Sequence, residues 1–517
     1  IRIVILKNTN NTLKDTIIMK KKQLVKKIIM GSCMLLGVAL YLRANYTSAE
    51  NISPPLAAKD TLSMYAKNNA PKEYNNMYNT SVLNPFFEKL ATLEKSKDRK
   101  LNIVHIGDSH IQADVMPNVM RQRLQESFGN AGLGLVFPYS LVRTNGGRNV
   151  SFTSNISWEV QKNTSSPLAG ITGYALSTNK KDFVIELNLK NKDYAFNTLK
   201  IITPKNQRQF ELATNVGKVT APLKPSKMIS HKVTQGETLY AIAKKYHTTV
   251  ALLQKNNRLK GSNIRIGQVL HIASAKGISG TVPASTPATK VDMSNATILK
   301  ANSLYNYYAY ENLNVSDKIY LTPNTESSSY TLNGIVLEND QKGIIYHTIG
   351  VNGAHFSDYN KSELFFEQIS ALEPDLIVIS LGTNEAYGRL APERYDAEVM
   401  KFINTIRTQY GNCPIILTTP PPFLYRKKST TSLCVEYADT LIDNAVKDDY
   451  SVFDLYRALG GNEAMSRFIQ QNLIAGDRVH YTRDGYLEQG ALFFDALMSN
   501  YLNYKKQSKH SFKSILN

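Results

Sequence analysis

The sequence predicts an α/β protein with a parallel sheet, interrupted by a β-rich insertion that contains a small βααβ module. Strand and helix patterns alternate over residues 100–145 and again over 340–505, as they do around a parallel sheet with right-handed crossovers. In 146–225 and 290–338 this alternation gives way to short strand-like runs separated by turn residues, which predict one antiparallel sandwich. Linker-like stretches rich in Pro, Ser and Thr set residues 229–274 apart inside the insertion.

The composition indicates a folded protein with a preference for anionic partners. Of its 517 residues, 42% are hydrophobic and 20% are charged, and the formal net charge is +19. Nucleic acid, anionic lipid or an anionic cell-wall polymer would match that charge, but no nucleic-acid-binding motif is present, so we predict no nucleic-acid partner. Cys and His show no zinc spacing, and we predict no metal or other cofactor. Cys413 and Cys434 could form a disulfide in an exported protein, which the sequence leaves open.

Residues 19–49 have the organisation of a signal peptide. Lysines cluster at the start of this segment, an apolar run covers 28–42, and small residues follow at 47–49. The apolar run is shorter than the roughly 20 residues that a membrane-spanning helix needs. We therefore expect cleavage and export to the periplasm or cell envelope, with retention of 28–42 as a membrane anchor as the alternative. Residues 50–99 are expected to form a linker that leads into a helix near Pro85.

The first candidate functional residue lies at the end of a predicted buried strand. Residues 103–106 lack alternation and are rich in β-branched side chains, which is typical of a central strand covered on both faces. The strand stops at Gly-Asp-Ser, and helical spacing follows over 115–128. Because open α/β sheets place their ligands outside the carboxyl ends of the strands, we predict that Ser109 is a catalytic nucleophile. The same three residues also make ordinary turns and helix N-caps.

Further strand and helix patterns alternate after residue 340. Strands are predicted over 343–349, 375–380, 414–419 and 451–455, and helices over 362–372, 393–410, 431–446 and 483–500. The loops that follow the parallel strands meet at one edge of the sheet, so polar residues in these loops are candidates for the same site.

The residues of these loops have complementary chemistry. A neutral serine is a poor nucleophile, and His480 could serve as its general base. Asp477, three positions earlier, could fix the tautomer of the histidine and stabilise the imidazolium. Asn384 offers an amide donor and Gly353 an unscreened backbone N–H, which together with the Ser109 N–H would form an oxyanion hole. Taken singly, the Asn and Asp could be helix caps and the His a surface residue, but their joint occurrence in order favours catalysis.

These blocks resemble those of the SGNH (GDSL-type) hydrolases. Residues 107–109, 350–353, 382–385 and 477–480 are similar, in order, to four sequence blocks of that family. The resemblance implies a flavodoxin-like, three-layer α/β/α fold. It also implies a catalytic triad and an oxyanion hole, formed by Ser109, Asp477 and His480 and by Ser109, Gly353 and Asn384 respectively. At the second block it leaves a choice between Gly353 and Gly350. Family members include esterases, lipases, thioesterases and acetyltransferases, so the family alone names no substrate.

Residues 231–272 closely resemble a LysM domain. Their pattern runs strand, Gly turn, amphipathic helix, second helix, strand. The resemblance implies binding to N-acetylglucosamine-containing glycans, most often peptidoglycan, and a βααβ packing unit without a ligand is the alternative. The residues expected to contact the glycan are Gly236, Glu237, Thr238, Leu239, Asn257 and Ile264. The surrounding sandwich could bind carbohydrate or serve as a structural lid.

Together, these patterns predict an exported serine esterase that removes O-acetyl groups from peptidoglycan or a related cell-wall glycan, with similarity to peptidoglycan O-acetylesterases. Three alternatives remain open: an O-acetyltransferase that uses the same triad, a cell-wall-binding protein without activity, and an exported lipase or thioesterase. Membrane contact is expected only if the N-terminal segment remains uncleaved. The sequence does not specify the acyl group, the sugar position or the oligomeric state.

Overall fold

The computed structural model describes residues 76–216, 228–273 and 302–516, with gaps at 235–236, 247–249, 251–252, 255–256, 258, 260, 262, 305–306 and 316. The predicted signal peptide over 19–49, the linker before residue 76 and the predicted glycan contact Gly236 lie outside the described residues. The same holds for most of the linker that follows the LysM-like region.

The described residues contain the following elements in chain order. The strands are β1 (Met77–Tyr78), β2 (Lys100–Gly107), β3 (Gly134–Val136), β4 (Val150–Ser154), β5 (Glu159–Lys162), β6 (Tyr174–Thr178), β7 (Ile185–Leu189), β8 (Thr198–Ile202), β9 (Phe210–Ala213), β10 (Met228–Lys232), β11 (Val269–Ala273), β12 (Asn302–Leu304), β13 (Tyr307–Tyr310), β14 (Lys318–Pro323), β15 (Tyr330–Leu332), β16 (Gly334–Glu338), β17 (Gly343–Gly350), β18 (Leu376–Ser380), β19 (Ile415–Thr418) and β20 (Ser451–Phe453). The helices are α1 (Asn84–Ser96), α2 (Ser109–Gln112), α3 (Val115–Phe128), α4 (Leu239–Lys245), α5 (Phe356–Tyr359), α6 (Glu363–Ile369), α7 (Thr383–Tyr387), α8 (Pro392–Tyr410), α9 (Leu433–Asn444), α10 (Leu455–Ala458), α11 (Met465–Gln470) and α12 (Arg483–Leu516). Short 3₁₀ helices cover Thr80–Leu83, Lys192–Tyr194, Pro204–Asn206, Ser370–Leu372 and Gly461–Ala464.

A six-stranded sheet joins the two α/β stretches of the chain. Its order is β1-β20-β19-β18-β2-β17, and all neighbours pair in parallel except β1, which runs antiparallel to β20 at the edge. The predicted α/β class with a parallel sheet is therefore confirmed. Strand β2 lies between β17 and β18, and the register places Gly107 beside both Gly350 and Ser380. Because these three strands end together, the loops that follow them meet at one edge of the sheet.

Strand β2 is covered on both faces, as its apolar sequence predicted. Val104 and Ile106 are fully buried in one apolar cluster, whereas Leu101 and Ile103 are buried in the other. Alternate residues of a strand point to opposite faces, so the two clusters lie on opposite sides of the sheet. The sheet is thus the middle layer, and it holds the segment before Ser109 rigidly.

The β-rich insertion forms three antiparallel sheets with one shared core. Their orders are β12-β13-β8-β16-β3, β4-β7-β14-β9 and β15-β6-β5. Phe183 makes edge-to-face contacts with Phe210 and Tyr330, and the Tyr308 hydroxyl accepts a hydrogen bond from the Phe210 N–H at 3.0 Å. Strand β3 lies in the stretch expected to belong to the α/β part, but it pairs with β16 of the insertion. The insertion core is also continuous with one face of the six-stranded sheet, so the two parts pack as one body.

The region that resembles a LysM domain has a small core of its own. Strands β10 and β11 pair antiparallel, with His231 opposite Leu270. The buried side chains are Val233, Leu239, Ile242, Ala243, Leu253, Leu270 and Ile272. These residues come from β11, from the residue after β10 and from the helical segment between the strands, so the module buries its own apolar face.

The two cysteines of the described residues are not bonded to each other. Cys413 and Cys434 are free thiols, and Cys434 is buried. The candidate disulfide is therefore not formed in this structure.

Among the helices of the described residues, none combines the length and the apolar character needed to cross a membrane.

Candidate active site

Ser109 is the first residue of α2, directly after the central strand β2. Asp108 is the N-cap of this helix, and its Oδ1 accepts a hydrogen bond from the His110 N–H at 2.9 Å. This cap fixes the turn between strand and helix. The Ser109 side chain is consequently placed outside the carboxyl end of β2, where the sequence predicted it. The N-cap alternative holds for Asp108, and the role of Ser109 as a nucleophile stays a prediction.

His480 and Asp477 lie in the loop before α12 and approach Ser109 from the opposite side. The Ser109 Oγ is 2.8 Å from His480 Nε2, and His480 Nδ1 is 2.7 Å from Asp477 Oδ2. Asp477 Oδ1 also accepts from the backbone N–H groups of Val479 and His480, at 3.0 and 2.9 Å. Because the carboxylate can only accept, His480 Nδ1 carries the proton and Nε2 is left to accept from the serine hydroxyl. The three predicted residues therefore form one continuous hydrogen-bonded chain.

The charges of this chain are coupled. The hydrogen bond to the Asp477 carboxylate raises the pKa of His480 above its ordinary value of 6.5, against the opposing effect of burial. Burial favours the neutral form of Asp477, but hydrogen bonds from His480 and from the Val479 N–H outweigh it and hold the pKa of this carboxyl far below its usual range. Asp477 is therefore a carboxylate at neutral pH, where it can stabilise an imidazolium at His480.

His110, for which the sequence offered no role, packs against the catalytic histidine candidate. Its ring stacks on that of His480, with 5.3 Å between the centroids and 30° between the planes. The Tyr486 hydroxyl lies 3.1 Å from His110 Nδ1, and burial lowers the pKa of His110 to about 3. His110 is therefore neutral at physiological pH. It forms an uncharged wall that limits the rotation of the His480 ring.

Asn384 is held at the end of β18 by two hydrogen bonds. Its Nδ2 donates to Asp108 Oδ2 and to the carbonyl oxygen of Ala354, both at 3.0 Å. The residue thus links the nucleophile turn to the loop after β17. Burial raises the pKa of Asp108 to about 7, so this acceptor is close to its protonation midpoint at neutral pH. In this structure the amide hydrogens of Asn384 are engaged with protein groups near the serine, where an oxyanion would have to compete for one of them.

Gly353 occupies the third position of a tight turn after β17. The Ala354 N–H donates to the Val351 carbonyl at 3.0 Å, and Gly353 has φ +75°, which is the geometry of a type II turn. A Cβ at Gly353 would meet nothing within 4 Å, so the space beside its α-carbon is open. A Cβ at Gly350, by contrast, would lie 2.2 Å from the backbone nitrogen of Gln112. Gly350 is required for close packing against α2, and Gly353 is the glycine with an accessible N–H.

Gln112 anchors this turn to the rest of the protein, and sequence reasoning missed it. It is buried, and its Oε1 accepts from the Asn352 N–H at 2.7 Å and from the Tyr174 hydroxyl at 3.0 Å. Its Nε2 donates to Thr144 Oγ1 and to the Asn145 carbonyl oxygen, at 3.0 and 2.7 Å. The only sequence signal was its position, three residues after the serine in one helical turn. Its partners come from the loop after β17, from the insertion and from the loop before the insertion.

The predicted glycan-contact residues of the LysM-like region have structural contacts. Leu239 is 2% exposed, and Glu237 Oε2 accepts from His231 Nε2 and from the Thr234 N–H, both at 2.8 Å. The Asn257 amide binds the backbone of His271 on β11. Thr238 caps the following helix, and Ile264 packs against the core of the module. Their roles in glycan binding stay predictions. Tyr240, which the sequence did not single out, is 71% exposed and offers an aromatic face.

No group of three or more His, Cys, Asp or Glu side chains among the described residues is arranged to hold a metal ion. The arrangement near Ser109 consists of a hydroxyl, an imidazole, a carboxylate and two candidate hydrogen-bond donors. These groups are the ones that acyl transfer by a serine nucleophile requires.

The chain was compared with known families and solved structures. Residues 231–273 match the LysM domain family, and residues 334–487 match the GDSL-like lipase/acylhydrolase family. The latter match begins after the insertion, so the Ser109 block lies outside it. A solved structure of a peptidoglycan O-acetylesterase is 17% identical, with a TM-score of 0.51, and covers 81% of this chain and 96% of that chain.

Smaller solved structures match only part of the chain. The lipase/acylhydrolase from Enterococcus faecalis is 20% identical, with a TM-score of 0.25, and covers 30% of this chain and 77% of its own. A putative acylhydrolase from Bacteroides fragilis NCTC 9343 is also 20% identical, with a TM-score of 0.24, covering 31% and 76%. None of the curated proteins matches this chain in sequence. The family matches confirm both resemblances found in the sequence: the chain contains a GDSL-like lipase/acylhydrolase region over residues 334–487 and a LysM domain over residues 231–273.

Proposed function

We propose that this protein is an exported O-acetylesterase that removes acetyl groups from sugar hydroxyls of peptidoglycan or a related cell-wall glycan. The observation that carries the catalytic part is the chain of hydrogen bonds from Ser109 Oγ to His480 Nε2 and from His480 Nδ1 to Asp477, at 2.8 and 2.7 Å. This is the spacing at which a general base can take the proton of an attacking hydroxyl.

In the first step, Ser109 Oγ attacks the acetyl carbonyl carbon while its proton moves to His480 Nε2. A carbon–oxygen bond forms, and the carbonyl electron pair moves onto the carbonyl oxygen. Asp477 stabilises the imidazolium that results and keeps the ring in the required tautomer. The tetrahedral intermediate then collapses, and His480 gives its proton to the departing sugar oxygen, which leaves an acetyl-serine.

The negative oxygen of the tetrahedral intermediate needs donors that are already in place. We assign this role to the backbone N–H groups of Ser109 and Gly353 and to the Asn384 amide. Among the hydrogen bonds of the described residues, none uses the Gly353 N–H, which is therefore ready to donate. Asn384 would exchange one of its two protein acceptors for the oxyanion. Such preorganised donors are usually the largest single catalytic contribution.

In the second step, water replaces the sugar. His480 takes a proton from the water molecule, the resulting oxygen attacks the acetyl carbonyl carbon, and the bond to Ser109 breaks. The proton passes from His480 to Ser109 Oγ, and acetate is released. If a second sugar hydroxyl took the place of water, the same groups would perform acetyl transfer.

The substrate assignment rests on the combination of the two domains. The LysM family match, together with the fold similarity to a peptidoglycan O-acetylesterase, supports a glycan of the cell wall as the ligand. Such a polymer lies outside the cytoplasm, which agrees with the signal-peptide pattern over 19–49. The net charge of +19 favours an anionic wall surface.

The test measures acetate released from purified O-acetylated peptidoglycan and from a small aryl acetate. We expect Ser109→Ala to lower both rates by about 10⁴-fold or more. Ser81→Ala, which changes an exposed serine in the 3₁₀ helix Thr80–Leu83, is the matched control and should keep wild-type rates. Undiminished acetate release by Ser109→Ala would overturn the mechanism, and acetylated acceptor glycan instead of acetate would identify a transferase.

The glycan-binding part is tested separately with the full chain. Tyr240→Ala removes the exposed aromatic ring of the LysM region and should weaken sedimentation with insoluble peptidoglycan while aryl acetate hydrolysis stays unchanged. Binding that persists at wild-type strength would move the glycan contact to another surface of the protein.

A further inference from the structure

A charged side chain from the insertion reaches the turn that contains Gly353. Lys162 is the last residue of β5, and its Nζ donates a hydrogen bond of 2.5 Å to the Asn352 carbonyl oxygen. This contact joins positions 190 residues apart in the sequence, and only the fold brings them together. The insertion therefore touches the loop that carries the proposed oxyanion donor.

The bonded carbonyl belongs to the same peptide group as the Gly353 N–H. An ammonium ion on the carbonyl oxygen draws electron density through the conjugated amide and makes the N–H at its other end a stronger donor. Charge-assisted hydrogen bonds of this kind are about twice as strong as neutral ones. A developing oxyanion at the Gly353 N–H would therefore experience both a stronger donor and a positive charge behind it.

The residue that carries this carbonyl is held at its other end as well. The Asn352 N–H donates to Gln112, and the Asn352 Nδ2 donates to Thr144 Oγ1 and Asn145 Oδ1, at 3.0 and 2.8 Å. Lys162 holds the backbone carbonyl oxygen of the same residue. Its bond thus determines the direction of the Gly353 N–H, as well as its donor strength.

The environment of Lys162 indicates that its charge is not placed there for an ion pair. Within the described part of the chain, no carboxylate forms an ion pair with its ammonium group, and the acidic side chain whose charge acts on it is Asp358 in α5. Burial lowers the pKa of Lys162, and the negative charge of Asp358 partly opposes this shift. Burying an ammonium group without a paired carboxylate costs free energy, so the Asn352 carbonyl is the group that holds this charge in place.

We propose that Lys162 is a positioning residue of the insertion, which orients and polarises the Asn352–Gly353 peptide and thereby strengthens the oxyanion hole. This inference rests on the proposed function of Gly353. It makes the insertion a part of the catalytic machinery, because a residue beyond the α/β core completes the site.

The experiment measures kcat and KM for a soluble aryl acetate with the full chain. Hydrogen bonds to charged groups contribute about 1.5–3 kcal/mol, so we expect Lys162→Met to lower kcat by about 10- to 100-fold. KM should change by less than about threefold, because the missing interaction acts mainly in the transition state. Lys162→Arg keeps the charge and should recover most of the lost kcat. Lys181→Met, at an exposed lysine of the same insertion, is the matched control and should keep wild-type kcat.

The outcomes are distinguishable from a failure of the proposed function. A folded Lys162→Met variant with wild-type kcat, in a protein that Ser109→Ala inactivates, would overturn this inference and leave the esterase proposal intact. An equal loss in Lys162→Met and Lys162→Arg would also overturn it, because a purely structural role would not depend on charge. If Lys162→Met melts early, Lys162→Gln keeps a neutral donor of similar length, and a wild-type kcat in that variant would again contradict the proposal.

Discussion

The two sides of the site are built in different ways. On the triad side, Asp477 and His480 are three residues apart, sit on one turn and have side chains that are 48% and 41% exposed. On the oxyanion side, the Gly353 turn is held by Gln112, which is buried, and by Lys162 from a distant strand. The base is thus assembled locally, whereas the proposed oxyanion hole is assembled by contacts across the fold.

The two kinds of assembly predict different effects of substitution. A local turn can lose a side chain without disturbing the core, so changes at Asp477 should affect chemistry and leave stability nearly unchanged. The buried network around the Gly353 turn has no such independence, because each removed partner leaves another polar group unsatisfied. Changes there should lower stability and activity together.

The largest effect is expected on the triad side. Asp477→Asn should lower kcat/KM by about 10³- to 10⁴-fold, because the amide can no longer stabilise the imidazolium or hold the productive tautomer. The hydrogen bond to Asp477 raises the pKa of His480 above 6.5, so removing it should move the acidic limb of the pH profile to lower pH. The melting temperature should change little. A limb that stays in place would show that another group controls the titration.

The two glycines of the second block give a sharper comparison. Gly353→Ala should lower kcat by about 10- to 100-fold, since a side chain at φ +75° strains the turn and screens the N–H, with only about 1 kcal/mol lost in stability. Gly350→Ala would place its Cβ 2.2 Å from the backbone nitrogen of Gln112. Because two atoms cannot lie so close, we expect this variant to fold poorly. Thermal melting and aryl acetate kinetics on both variants check this. The reverse pattern would assign the donor role to Gly350.

A substitution of the buried Gln112 should lower both stability and kcat. Gln112→Leu removes the acceptor of the Asn352 N–H and of the Tyr174 hydroxyl, and each unsatisfied group costs about 1–3 kcal/mol. We expect a lower melting temperature and a roughly tenfold lower kcat. Denaturant unfolding combined with kinetics measures both. A stable variant with full activity would show that the turn keeps its shape without this anchor.

The smallest effect is expected at His110. Burial lowers the pKa of His110 to about 3, so it does not ionise in the range in which His480 titrates. His110→Phe keeps a ring against His480 and should change kcat by less than about threefold, with about 1 kcal/mol lost from the Tyr486 contact. The pH profile should retain its shape. A second ionisation that disappears in this variant would show that His110 takes part in proton transfer.

The sequence revealed the locally encoded features well. Helix 115–128 has the bounds that periodicity predicted, and Ser109, Asp477 and His480 could be singled out from short motifs whose members meet in space. The contributions of Gln112 and Lys162 could not be found in this way. Neither residue belongs to a short motif, and Asn352, to which both bond, lies 240 and 190 positions away from them.

The same limit explains the differences in the fold. Strand β3 follows the helix after the serine, and its sequence position placed it with the α/β part. Its side chain Leu135 is instead buried in the core of the insertion, because pairing with β16 offers it a covered surface. Apolar content alone predicts that a strand is buried, but not which sheet receives it.

The order of strands in the main sheet has a consequence for biosynthesis. Strand β2 lies between β17 and β18, and its buried His105 bonds with Tyr346, 241 positions later in the chain. Closing so long a loop is entropically unfavourable until the later strands are available. Strand β2, which precedes the serine, therefore stays unpaired during synthesis until most of the chain has been made. Its backbone edges and apolar side chains are exposed during that time. We expect slow folding that depends on protection by chaperones before the sheet closes.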